Sequence, residues 1–574
     1  MRSTFAGLNT MVRGIQNNQL SLDTTGHNIT NASTEGYSRQ RVDSAATNYQ
    51  ERPSLYGGVY VGGGVDVVGL NRARNIYADK QYWSENSMQN LYQTYKTNYD
   101  KVETIFNDSK KTGILNAMQQ FYSSWVNLSD YASDSASRTS VIAKGKTLVD
   151  NIKTSAKQLQ DQIGSQYDEM RTQVDKLNNI TRDIARLNKN IMLAETNGGK
   201  ANDLRDQRDL LVDKLSEITN VNVYEEANGQ YTVVSNGMSL VQRESSLTLE
   251  MSPPINNKQY GISDYTLRIK EAGGVGYMPQ SGILKALQDT IVQDKGHIDQ
   301  LADISATLLT TFNDVHKQGA GIDRDATTWL NFFGKNKFTS PNGTTYDQMQ
   351  YTWHVNPVTD ERYMEAAGAT RTVTHAPGPP ATTTVQTNVI GAPDKLQSMQ
   401  IIDALKVSDE LTVPGGQNLV AARQITNASG TRVAPTVLTP TASTFTYNDA
   451  WVNGTGDGTI AVELSKLFNI DQADTMNPRG TERAVKDVSI NQYYNGMMSK
   501  LGADAENVNK TLKQQDDLMT QIEQWRQSTS GVDWNEELTN MLKFQTGYGA
   551  CSRMLTSMDE MLDRLINSTG VVGR

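Results

Sequence analysis

Two stripes at opposite ends of the chain constrain its fold more than any other feature. Phe5, Leu8, Val12, Ile15, Gln19, Leu22, Gly26 and Ile29 recur at steps of three and four near the start. Met541, Phe544, Tyr548, Cys551, Leu555, Met558, Leu562 and Leu565 keep the same rhythm near the end. Such spacing places one stripe along a helix, and a heptad stripe asks for a helical partner. Each stripe covers the same number of steps, a rod of roughly 36 Å at about 1.5 Å per residue. The pattern predicts an antiparallel pair of terminal helices that returns the chain to its starting point.

Between the ends the period changes several times. Thr24 to Gln40 is dense in Asn, Ser, Thr and Gly and ends the first helix in a structured turn. Gly57 to Gly69 alternates glycine with apolar residues and reads as one or two short strands. Helical spacing resumes at Tyr82 (Met88, Leu91, Tyr95, Asn98, Val102, Ile105) and again in one long stretch from Ala136 to Leu193. Gly198-Gly199 breaks it, and Asn202 or Asp203 is expected to cap the next helix. The charges of that helix, in RDQRDLL, are expected on a solvated face.

Residues 221–269 alternate, with hairpin turns at Asn228-Gly229 and Asn236-Gly237. A stripe from Leu284 to Val315 returns to helix, with Asp294 as its one discordant member. From Gly319 to Asn477 helical periodicity disappears. Ten of the 14 prolines fall between Pro341 and Pro478, in a Thr-rich setting that predicts a β insert whose removal, for the most part, the rest should tolerate. Met498 to Ile522 is helical again. The fold class expected is multi-domain, mainly α with an inserted β domain. Residues 1–36 and 534–574 form a terminal coiled coil, 37–320 and 475–533 a helical bundle domain with small β elements, and 321–474 the β-rich outer insert.

Chemistry is hard to find in this sequence. His27, His297, His316, His354 and His375 are isolated, and one cysteine (Cys551) builds neither a disulfide nor a thiolate site. Gly145-Lys146-Thr147 lacks the first glycine of a phosphate loop and lies in a helical region. No G-x-S-x-G elbow is present. Net charge is −9 without a basic cluster, which argues against nucleic acid, and no apolar run is long enough to span a membrane. The N-terminus lacks the apolar core of a cleaved secretory signal. No catalytic residue, cofactor or metal is expected.

The first 40 residues resemble the N-terminal signature of the flagellar axial proteins of rod, hook and hook-associated type. Gly7-Leu8-Asn9, Asn28 to Thr34 and Gly36 to Gln40 carry the likeness, with departures at His27 and Thr30. Ser530 to Leu538, Phe544-Gln545 and Tyr548 to Leu565 resemble that family's closing helix, with Gly547 where Ala is common. Ala201 to Asp209 and the run from Ser281 to Gly321 are similar to its hook-associated branch. The resemblance implies a structural protein of the hook–filament junction, exported to the cell exterior without a cleaved signal. It implies self-association in a ring, contacts with the hook protein and a second junction protein, and handling by the export apparatus and a chaperone at the C-terminal region. The functional residues would then be the stripes themselves: Phe5, Leu8, Val12, Ile15, Leu22, Ile29, Met541, Phe544, Tyr548, Leu555, Met558, Leu562 and Leu565. Alternatives are another rod or hook component, or an exported protein whose insert is an adhesin or hydrolase.

Overall fold

A computed structural model gives the architecture. It describes residues 6–48, 50–52, 59–106, 112–324, 326–339, 345–346, 348–355, 361–376, 381–389, 393–426, 429, 442–469, 484–485 and 488–568. The first helix, α1 (Ala6–Asn31), is followed by a β hairpin in which Gln40–Ala46 pairs antiparallel with Val65–Arg72. Next come α2 (Ile76–Phe106), α3 (Ile114–Asp130), α4 (Ser135–Glu195) and α5 (Asn202–Ile218). After a run of short strands, α6 (Ile283–Thr307) continues through a π-helical turn, Leu308–Phe312, into α7 (Asn313–His316). The insert carries α8 (Ser398–Ala404), α9 (Asp409–Thr412) and α10 (Thr459–Asn469). The chain closes with α11 (Ile490–Ser530) and α12 (Trp534–Ser568).

Helix α4 is the spine, 61 residues or roughly 90 Å long. Asp134 caps it by accepting from the Ser137 backbone N–H at 2.9 Å. Its stripe, Met170, Val174, Leu177, Thr181, Ile184, Asn188 and Ile191, is wholly buried. Gly145 is a packing residue: a Cβ there would lie 3.1 Å from both Phe121 and Phe332. The glycine that loosely resembled a phosphate loop is thus required by an aromatic core in which Phe121, Trp125, Phe312, Phe332, Phe333 and Phe468 meet.

Strands Asn222–Glu225, Tyr231–Ser235, Met238–Gln242 and Ser245–Ser246 form one sheet in that order. Asn236 and Gly237 both take positive φ, as the tight hairpin reading requires. This sheet belongs to the helical part, since Asn188 of α4 donates to the Tyr231 and Arg243 carbonyls. In the insert, Gln348–Val355, Arg362–Ala376, Thr382–Val389 and Ala442–Asn448 form an antiparallel sheet in chain order, with Asp394–Leu396 beside Arg362–Ala376.

The insert shares its core with the helices. Phe332, Phe333, Met349, Ile402, Leu464 and Phe468 are buried in one cluster with Phe121 and Phe312. A small separate cluster (Trp329, Val385, Ile425, Tyr447) lies further out. Among its described residues, 321–474 carries three α-helices beside its strands. The short amphipathic pattern Ile460, Ala461, Leu464, Leu467 and Phe468 is the signal that the Pro and Thr content obscured.

Candidate assembly surface of the terminal helices

Helices α1 and α12 pack antiparallel. A Cβ on Gly7 would lie 2.8 Å from Met558, one on Gly14 3.0 Å from the Cys551 sulfur, and one on Gly547 2.7 Å from Asn18. Further along, Asn28 donates to Glu537 at 3.2 Å. From Gly7 to Asn28 the first helix advances by as many residues as the second retreats from Met558 to Glu537, so the register is unbroken. The departure at Gly547 is explained here, because Asn18 occupies the space a methyl would need.

The seam on α1 is built of small and polar residues. Ser21, Thr25 and Asn28 are buried, while the apolar stripe is not. Ser21 and Thr25 return their hydroxyls to the carbonyls of Asn17 and Ser21, which satisfies them without a partner across the seam. The adjoining side of α1 meets the hairpin: Thr10 donates to the Gly63 carbonyl at 3.3 Å and Arg13 pairs with Asp66. Gly64 (φ +106°) lets the strand approach, since a Cβ there would sit 3.1 Å from Thr10.

Leu8, Ile15, Leu22 and Ile29 are half-buried and Val12 is 39% exposed. Met541, Phe544, Leu555, Met558 and Leu562 are half-buried and Tyr548 is 39% exposed. Phe5 and the Leu565 side chain lie outside the described residues. Of the stripe, only Met558 (beside Gly7) and Cys551 (beside Gly14) project into the seam in the contacts above. At about 100° per residue, the α1 stripe lies about a quarter turn from the Gly7–Gly14–Asn18 line, away from the hairpin. Met541, Phe544, Tyr548 and Leu555 are offset in the corresponding sense from the line through Met558, Cys551 and Gly547. Because the helices are antiparallel, both offsets fall on one side of the pair. The two stripes therefore form a joint apolar face, with the hairpin covering the opposite side of α1.

A dense polar joint ties this pair to the helical part. Arg39 grips Glu537 at 2.7 Å and Glu536 at 2.7 and 3.0 Å, and its N–H donates to the Ser530 carbonyl. Tyr37 donates to Asn28 at 2.7 Å, His27 lies 3.0 Å from the Tyr37 hydroxyl, and Asn28 both donates to and accepts from the Gln40 backbone. Burial, followed by the charges of Asp203, Asp206 and Glu537, pushes the Tyr37 hydroxyl well above its ordinary pKa.

Behind this joint the charges of α5 are buried, contrary to the solvated face expected for them. Arg72 bonds Asp206 at 2.6 Å and Asp209 at 2.8 Å, and Arg74 bonds Asp79 at 2.7 Å. Arg526 of α11 reaches Asp79 at 2.8 Å and Asp213 at 2.7 Å. Burial raises Asp209, but Arg74, Arg72 and Arg208 together hold its pKa below the usual carboxylate range. At Asp213 burial outweighs Arg526 and Arg74, and the pKa rises. The 3–4 spacing of Asp206, Asp209 and Asp213 was the available signal. Carboxylates at stripe spacing share a face as surely as leucines do.

A cleft of about 830 Å³ lies over this joint, lined by polar side chains including Arg39, Lys214, Glu217 and Glu523. Among the described residues no cluster of three or more His, Cys, Asp or Glu side chains is placed to hold a metal ion, and no helix is long and apolar enough to cross a membrane.

The paired terminal helices, helical core and β insert are accompanied by similarity to proteins of the flagellar axial class. Residues 523–568 match the family described as "Flagellar basal body rod FlgEFG protein C-terminal". Residues 99–333 match the "Flagellar hook-associated protein FlgK helical domain". The chain is 26% identical to flagellar hook-associated protein 1 of Bacillus subtilis, over 100% of both chains. It is 26% identical to the protein of that name in Salmonella typhimurium, over 98% of this chain and 99% of the other. The Escherichia coli protein of that name is 25% identical over the same shares. Along its whole length the chain thus resembles proteins named flagellar hook-associated protein 1. Its fold is similar to that of the flagellar hook junction protein FlgK from Burkholderia pseudomallei, with TM-score 0.54 and 19% identity over 79% of this chain and 100% of the other.

Proposed function

We propose that this protein is a structural component of the bacterial flagellum, forms the junction between hook and filament, and is required for filament assembly. The observation that carries this reading is agreement along the whole chain with proteins named flagellar hook-associated protein 1. The joint apolar face of α1 and α12 gives it a physical basis, because a face of half-buried aliphatic side chains loses stability in water and gains it against another protein surface.

In finer detail, Leu8, Val12, Ile15, Leu22 and Ile29 with Met541, Phe544, Tyr548, Leu555, Met558 and Leu562 supply the contact between copies in a ring-like assembly. Phe5 and Leu565 extend the two stripes in sequence. One rim of the ring meets the hook protein and the other a second junction protein. The chain leaves the cell through the flagellar export apparatus, with a chaperone at its C-terminal region. It has no enzymatic activity. The division into 1–36 with 534–574, 37–320 with 475–533, and 321–474 is one of roles: ring wall, spine and outer surface.

The test is deletion of the gene and restoration with the full chain carrying an epitope, followed by electron microscopy. Cells without the protein should carry bare hooks and release filament subunits to the medium. In restored cells, antibody label should fall at the hook–filament boundary. Full-length filaments on the deletion strain would overturn the assignment.

A further inference from the structure

Asp294 interrupts the apolar stripe of α6 and is completely buried. Its oxygens accept from Asn98 of α2 at 3.2 Å and from Gln166 of α4 at 2.8 Å. The same Gln166 amide donates to Asn98 at 2.7 Å, and Gln162 donates to Asn98 at 3.0 Å. No Lys, Arg or His among the described residues lies within ion-pair distance of the carboxylate. An isolated charge here is far more costly than a neutral acid.

The cluster also holds an unused acceptor. The Gln166 amide oxygen is buried and has no hydrogen-bond partner, although its nitrogen donates twice. A carboxylate cannot supply the missing donor, whereas a carboxylic acid can, by donating back to the amide that already donates to it. A metal cation would be poorly served here, because amide nitrogens face the carboxylate and the Asn98 oxygen already accepts twice. We propose that Asp294, Asn98 and Gln166 form a proton-dependent lock between α2, α4 and α6, closed when Asp294 is a neutral acid and loosened when it ionises.

The groups facing the site fit this reading. Lys101 of α2 and Glu169 of α4 line a small cavity of about 80 Å³ beside it, together with Thr94, Thr97 and Thr290. Tyr99 of α2 is raised by burial, then Asp504, and also by Asp294. Burial pushes the Asp294 pKa up to about 7, against the opposing hydrogen bonds of Asn98 and Gln166 and the charge of Lys101. The folded pKa lies above the unfolded one, so the folded state binds more protons between about pH 4 and pH 7. Stability from this site is therefore full at low pH and declines as pH rises through that window.

Isotope-edited infrared spectra of the full-length chain test this directly, with aspartate carboxyl carbons labelled. At pH 6 we expect a protonated carboxyl band that is absent from Asp294→Asn. Native-state hydrogen exchange supplies the second measurement. Protection of α4 amides around Gln166 in the wild type should fall by up to tenfold per pH unit, relative to Asp294→Asn, between pH 5 and 7. Should Asp294→Asn not fold, Gln166→Met serves instead, and, by removing an N–H donor that favours the ionised form, should shift the loss of the protonated band to higher pH. A fully ionised Asp294 at pH 6 in the folded wild type overturns the proposal, as does parallel pH dependence of wild type and Asp294→Asn.

Discussion

Asn28 and Glu537, 509 positions apart, share a buried hydrogen bond of 3.2 Å. The contact closes the chain on itself, and it lies outside the apolar stripe on both helices. Glu537 is 2% exposed, and Arg39 answers its charge at 2.7 Å. Within the joint, this one buried carboxylate has two partners, one on α1 and one just beyond it.

Arg39→Ala should strand that carboxylate. Breaking a buried pair from one side costs about 3–5 kcal/mol, whereas Glu537→Gln removes the charge together with its need and should cost less. Hydrogen exchange of residues 17–31 checks the ranking. Equal loss of protection in the two variants would mean that the ion pair does not hold the joint. The α1 seam buries few apolar groups, so its amides should in any case be among the least protected helical amides of a free monomer. Strong protection from Leu8 to Leu22 would contradict this.

The existence and type of the long helices were legible because stripes such as Met170 to Ile191 repeat without a break. The way the terminal helices meet was not. A leucine at stripe spacing announces burial, but Gly7, Gly14 and Asn18 announce nothing until Met558, Cys551 and Gly547 are seen opposite them. The stripes lie beside the seam, while the seam itself is made of residues whose smallness lets the helices approach. The α5 carboxylates and Asp294 were misjudged or left unexplained for a shared reason. Their partners, Arg72, Arg526, Asn98 and Gln166, come from distant segments that no local pattern connects.

His316 should make the core acid-labile. It is completely buried, its Nδ1 lies 2.8 Å from the Leu330 carbonyl, and its Nε2 accepts from the Ala421 N–H at 3.0 Å. That geometry demands the neutral ring, and burial lowers the pKa to about 4. The folded pKa lies below the unfolded one, so this stability is full above about pH 6.5 and is lost as pH falls through 4. The span corresponds to about 3 kcal/mol. In His316→Gln that part of the acid dependence should vanish while overall stability drops. Unfolding curves between pH 4 and 7 decide it, and an unchanged acid slope in the variant would discount His316.

The sequence suggests that most of the insert is dispensable, and its core contacts narrow that expectation. Deleting 321–474 would remove Phe332, Phe333 and Phe468 from around Phe121 and Phe312, where each lost aromatic costs about 3–5 kcal/mol. That variant should fail to fold. Replacing only 374–384, the outer ends of two paired strands, by a short turn leaves this core and Val385 intact. It should give a folded, exported chain that still joins the hook, as secretion assays and microscopy would show. Loss of assembly in the trimmed chain would assign that arm an essential contact.

Leu555 lies mid-stripe on α12 and is half-buried in a single chain. Completing its burial against a neighbouring copy contributes at most about 1.5–3 kcal/mol. Leu555→Asp forfeits that and adds the larger cost of an unpaired carboxylate in the interface. In the monomer the new charge can turn to water, so folding and secretion should survive. In a ring every copy carries the defect, so the losses accumulate and assembly should fail. The expected phenotype is a secreted, monomeric variant, bare hooks, and filament subunits in the medium. Asp559→Ala, one position beyond Met558 on an exposed part of the helix, is the control and should assemble normally. Normal filaments on Leu555→Asp cells would show that the joint face of α1 and α12 does not hold the copies together.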